Sequence, residues 1–65
     1  MNLRMERILK GFNQYDIALK TGIPQSKISL IERGYLEPKK EEKRKIAKAL
    51  NLKVSEIFPE KGGNL

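Results

Sequence analysis

NQYDIALKTGIPQSKISLIERG, residues 13–34, holds two short helical patterns on either side of one glycine. The first, over about residues 14–20, opens on Asn13, a strong N-cap residue, with Asp16 at the third helical position where an acid suits the helix dipole. Ile17 and Ala18 fall on its inward side, and Gly22 fits the left-handed position that ends a helix. The second pattern, over about residues 24–33, starts at or beside Pro24, whose missing N–H costs nothing in a first turn. Its first turn, Gln25, Ser26 and Lys27, is polar; Ile28 and Ile31 are its apolar positions; Gly34 stops it. Two helices joined by about three residues must cross steeply, at roughly 90–120°. Such a crossing needs a small residue where the helices approach, a residue tolerating positive φ at the turn and an apolar plug behind it. Ala18, Gly22 and Ile23 meet the three requirements together, as a helix-turn-helix demands.

Working outward, residues 2–10 read as a preceding helix, with Met1, Met5, Ile8, Leu9 and Phe12 on one apolar stripe and Leu3 and Glu6 off it. After a loop through Pro38, KKEEKRKIAKALNL (residues 39–52) reads as a fourth helix with Ile46, Ala47 and Leu50 as its seam. Ser55 suits the cap of a last turn that packs Ile57 and Phe58 before Pro59 halts it. No stretch alternates as a strand does, and no repeat appears. The expectation is an all-α fold, a compact bundle of four to five short helices containing the helix-turn-helix. Residues 1–59 form the domain and residues 60–65 a flexible C-terminal tail.

Composition narrows the function. At 65 residues the chain is one small domain of marginal stability. With neither cysteine nor histidine, it lacks disulfides, thiolate or imidazole metal ligands and the usual general base. The adjacent acids Glu41 and Glu42 point to different sides of a helix, and no glycine loop is present. The expectation is no enzyme and no cofactor. No apolar run reaches the ~18–20 residues of a membrane span, and the N-terminus has no uninterrupted apolar core for a signal peptide, which fits a cytoplasmic location. Fourteen Lys and Arg against eight Asp and Glu give +6, a balance that favours polyanion partners.

The same 22 residues resemble the Cro/phage-repressor (XRE-type, lambda-repressor-like) helix-turn-helix family, whose pattern is Q-x-x-L-A-x-x-x-G-I-x-Q-x-x-I-S-x-I-E-x-G. Gln14, Ala18, Gly22, Ile23, Gln25, Ile28, Ser29, Ile31, Glu32 and Gly34 match, with Ile17 in place of the leucine. The similarity continues through Pro38, Ile46-Ala47, Leu50 and Ile57-Phe58. The resemblance implies that the third helix lies in the DNA major groove. By position Gln25 and Ser26 are its base-contacting residues, and a glutamine amide pairs bidentately with adenine. Lys27 can reach a guanine edge or a phosphate. Leu30 can meet a thymine methyl or extend the core seam. Asn13, Gln14 and Arg33 fall at phosphate-contacting positions, as do Lys39 and Lys40 after Pro38. In this family an Arg four residues before the first glycine often pairs with the recognition-helix Glu; here these are Arg7 and Glu32, a structural ion pair that does not read DNA.

Two features depart from the family pattern. Lys40 and Lys43 stand at fourth-helix positions that are usually apolar, where Glu41–Lys45 and Glu42–Lys45 read as ordinary surface pairs. Glu6 also stands where an apolar residue is usual, which leaves the roll of the first helix open. The function implied is a sequence-specific regulator, repressor-like, occupying double-stranded DNA as a homodimer, with Leu52 to Phe58 as the dimer contact. The rival is a protein-interaction module, antitoxin-like or coactivator-like, on the same scaffold.

Overall fold

A computed structural model of the chain describes residues 3–58. Five helices follow one another: α1 (Leu3–Leu9), α2 (Gln14–Thr21), α3 (Gln25–Glu32), α4 (Lys40–Ala49) and α5 (Val54–Ile57). The fold is all-α. α2 packs on both α3 and α4, and α5 closes against α4. One core joins Leu3 of α1, Ile17 of α2, Ile23 of the turn, Ile28 and Ile31 of α3, Ile46, Ala47 and Leu50 at and after the end of α4, and Ile57 of α5. Phe12, Leu36, Leu52, Val54 and Phe58 pack half-buried around it. Pro59 and the tail, residues 60–65, lie outside the described residues.

The turn between α2 and α3 is built as the steep crossing requires. Gly22 takes φ 76°, and its N–H donates to the Ala18 carbonyl at 2.8 Å. A second clamp comes from Thr21, which is buried. Its hydroxyl donates to the Ile17 carbonyl at 2.7 Å and accepts the Ile23 N–H at 3.2 Å. One buried side chain thus ties the last turn of α2 to the backbone that follows it. Pro24 sits one position before α3, as its N-cap, so the helix proper begins at Gln25.

α1 corrects the expected stripe. Met5, Ile8 and Leu9 are exposed, at 57%, 56% and 75%, while Leu3, Glu6 and Arg7 are buried; Met1 lies outside the described residues. Counting apolar residues chose the wrong face because the roll of this short helix is set by a charge. Arg7 must face inward to reach Glu32, and that turns Leu3 and Glu6 in with it and Ile8 and Leu9 out. The last turn corrects a smaller detail. Ser55 is exposed within α5, and the cap is Lys53, whose backbone N–H donates to Glu56 Oε1 at 2.8 Å. Lys43, at a position expected to be apolar, is half-buried. Its ammonium meets Glu37 at 2.8 Å and lies 5.7 Å from the centre of the Phe58 ring.

Candidate nucleic-acid interface

α3 places its first turn outward and its second inward. Gln25 and Ser26 are exposed, whereas Ile28 is fully buried and Ile31 is 7% exposed. Unlike α2, this helix has no side-chain cap, so no side chain satisfies the backbone N–H groups of its first turn. Leu30 is 37% exposed and stands outside the core, on the open side between the two buried isoleucines. The helix thus offers Gln25, Ser26 and Leu30 to an external surface.

Lys27 belongs to that turn but is engaged within the protein. Its ammonium lies 2.6 Å from Glu42 Oε2 on α4, and Glu42 Oε1 accepts the Lys39 backbone N–H at 2.8 Å. The surface pair expected between Glu42 and Lys45 is therefore replaced. A carboxylate on the first turn of α4 prefers an uncapped N–H and a lysine across the groove to a neighbour on its own helix. Glu42 ties α3 to the start of α4. Its carboxyl is held below the usual glutamate value, first by the Lys27 hydrogen bond and then by the Lys39 N–H. A depressed folded-state value means that the bridge contributes fully above the ordinary value of 4.5 and is lost as pH falls through the folded value. Denaturation followed from pH 7 downward should show a shallower acid loss of stability in Glu42→Gln than in the parent protein. Equal slopes would refute this coupling.

Behind α3 lies a second, tighter cluster. Arg7 Nε donates to Glu32 Oε2 at 2.6 Å, and Arg7 Nη2 donates to Oε1 at 3.2 Å, a bidentate fork. A third donor, Nη1, reaches the Phe12 carbonyl at 2.8 Å. The side chains are only 10% and 3% exposed, so three hydrogen bonds compensate a charge pair largely removed from water. Gln14 completes the cluster, its Nε2 donating to Glu32 Oε1 at 3.1 Å. Helices α1, α2 and α3 are thereby fastened at one carboxylate. Gln14 thus braces Glu32 from the first turn of α2. An amide carries two N–H donors, so one is left to face an anion.

The other residues expected at phosphates are exposed. Asn13 is exposed and caps α2: its Oδ1 accepts the Asp16 N–H at 2.7 Å, and Asp16 Oδ2 accepts the Asn13 N–H at 2.9 Å. The side-chain amide nitrogen of Asn13 takes no part in this box. Arg33 is exposed beyond the end of α3, with its guanidinium 5.3 Å from the Tyr35 ring. Lys39 and Lys40 are exposed at the start of α4. A surface depression brings Arg4, Gln14, Ser29 and Arg33 together. Arg4 was missed in the sequence because it lies off the expected apolar stripe of the first helix, where only the true roll brings it beside Gln14.

A helix-turn-helix family profile matches residues 3–57, nearly all of the described chain, and the protein belongs to that family, of the Cro/repressor (XRE) type. It is accordingly a DNA-binding regulator of this type. No curated protein and no solved structure matches the chain. Among the described residues, no helix is long and apolar enough to cross a membrane.

Proposed function

We propose that the protein is a repressor-like regulator that seats α3 in the major groove of an operator and acts by occupying it. The observation that carries this reading is the division of α3: two exposed polar residues on an uncapped first turn, backed by a buried second turn. Gln25 reads an adenine edge, Ser26 assists it, and Leu30 meets a thymine methyl. Lys27 reads a base only by leaving Glu42; held where it is, it orients the helix. Asn13, Gln14, Arg33, Lys39 and Lys40 hold phosphates, with Arg4 added to their number. One reading helix covers too few base pairs for genomic selectivity, so two copies bind a palindrome with half-sites ~34 Å apart. Half-buried Leu52, Val54 and Phe58 supply apolar surface for the contact between the copies. We place this operator-bound protein in the cytoplasm.

A second reading, binding of a protein partner, is favoured by one observation: the exposed apolar side chains of Ile8 and Leu9 on α1. Salt separates the two. Four phosphate-facing cations, Arg4, Arg33, Lys39 and Lys40, give a log–log slope of DNA affinity on salt of about −3.6 per copy, at −0.9 each. A partner held on an apolar face responds little to salt. Asn13→Asp sharpens the same test. Asp caps a helix as well as Asn, so the melting temperature should change little. The added negative charge beside a phosphate should weaken DNA binding about tenfold or more. Unchanged affinity would remove Asn13 from the interface.

A further inference from the structure

A second group of cations lies away from α3. Lys20, near the end of α2, and Lys45 and Lys48, on the last half of α4, line one open groove of about 480 Å³ with Thr21 and Ala49. Lys48 also borders a neighbouring depression, where Arg44 and Lys53 stand beside Leu52, Val54 and Glu56. All five cations are exposed; Arg44 and Lys53 flank the Leu52 and Val54 surface assigned above to the contact between copies, which leaves Lys20, Lys45 and Lys48 as the free basic belt. Like charges this close on one helix are mildly destabilising by themselves. Four acids that could offset them are engaged elsewhere: Glu32 with Arg7, Glu42 with Lys27, Glu37 with Lys43, and Asp16 with the Asn13 N–H. Glu56, at the edge of the belt, accepts the Lys53 N–H. Glu41 is exposed one turn before Lys45.

We propose that this belt is a second polyanion site, and that it takes the phosphate backbone of a second DNA duplex. Its position supports this. The phosphate-facing residues Asn13, Gln14, Lys39 and Lys40 lie at the first ends of α2 and α4, and Lys20, Lys45 and Lys48 lie further along them, ~7–12 Å from Gln14 or Lys40 along the helix axes. A rigid duplex seated on the first ends leaves the second ends to another ligand. The chemistry favours DNA over an acidic protein. The Lys20–Lys45–Lys48 groove is walled by Thr21 and Ala49 and offers no large apolar anchor, which a protein interface needs at its centre. Phosphates need only ammonium groups, and a lysine is a sequence-blind point charge. The belt therefore lets one copy hold two duplexes, one read and one merely gripped.

This bridging rests on α3 facing the first duplex, and the test keeps the two claims apart. A selected operator duplex carrying a donor dye is mixed with an unrelated duplex carrying an acceptor. Energy transfer is expected with the parent protein, with the second binding step falling with salt at a log–log slope near −2.7 for three lysines. Lys20→Gln/Lys45→Gln/Lys48→Gln should abolish transfer while operator affinity changes less than about threefold. Gln25→Ala/Ser26→Ala should lose operator preference yet keep binding the unrelated duplex through the belt; if it keeps operator preference, the reading of α3 fails and the belt stands. Circular dichroism confirms that each variant is folded, and a charge-reversed Lys48→Glu provides a second probe of the groove. Absence of transfer with the parent protein overturns the proposal. So does transfer that persists in the triple variant, as from a dimer holding one duplex on each α3. Loss of operator affinity together with transfer also overturns it, since the belt is then part of the first footprint. Polyglutamate competing as well as DNA for the second step overturns the choice of duplex.

Discussion

Glu32→Gln should destabilise the protein by ~3–5 kcal/mol, because it leaves the Arg7 guanidinium buried without its counter-charge. A chain of 65 residues has on the order of 3–10 kcal/mol of stability in total, so this single atom change should leave a substantial part of the population unfolded. In melting temperature the loss is roughly 4–8 °C per kcal/mol for a domain this small. Gln retains an acceptor oxygen and the shape of Glu, so packing is conserved and the charge is what is tested. The companion variant Arg7→Met/Glu32→Leu should recover most of the loss, since removing both charges leaves nothing unpaired. It should also shift α1, because the fork fixes the roll of that helix. A Glu32→Gln protein melting where the parent melts would show that the fork does not hold α1 and α3 together.

Gln25→Ala should flatten base preference at one or two positions of each half-site without changing the fold. Gln25 is exposed, so truncation removes no core contact. A bidentate amide–adenine pair is worth about 1–3 kcal/mol of discrimination, roughly 5- to 150-fold between the preferred base and its rivals. The measurement is affinity for the selected duplex and for its single-base variants. Loss confined to the adenine position, with salt slope unchanged, separates base reading from phosphate holding. If affinity falls equally for every duplex, Gln25 is a backbone contact.

Legibility in the sequence varied with how local each signal was. The joint between α2 and α3 was readable because glycine, a small residue and an apolar plug at fixed offsets answer one steric problem, and the structure builds it at Ala18, Gly22 and Ile23. The seam of α4 was equally plain, since Ile46, Ala47 and Leu50 are apolar residues on one face of a lysine-rich stretch, and all three are buried. α1 was misread because periodicity has no means of weighing a buried charge against three hydrophobes. The family pattern, which made Glu6 anomalous at a usually apolar position, pointed to the face that is buried. Partners distant in sequence were the hardest to foresee. Lys27 and Glu42 lie fifteen residues apart, and only the packing of α3 against the start of α4 brings them to 2.6 Å. Thr21 carries no sequence signal for its clamp, since its hydroxyl spans Ile17 and Ile23 only in the folded turn.

Selection from a random pool of duplex DNA tests the central claim most directly. An α3 that reads DNA as a paired unit predicts enrichment of an inverted repeat, its half-sites about 10–10.5 base pairs apart and each containing an adenine dependent on Gln25. A pool that emerges with no enriched motif, bound with the same affinity as the starting pool, would contradict it.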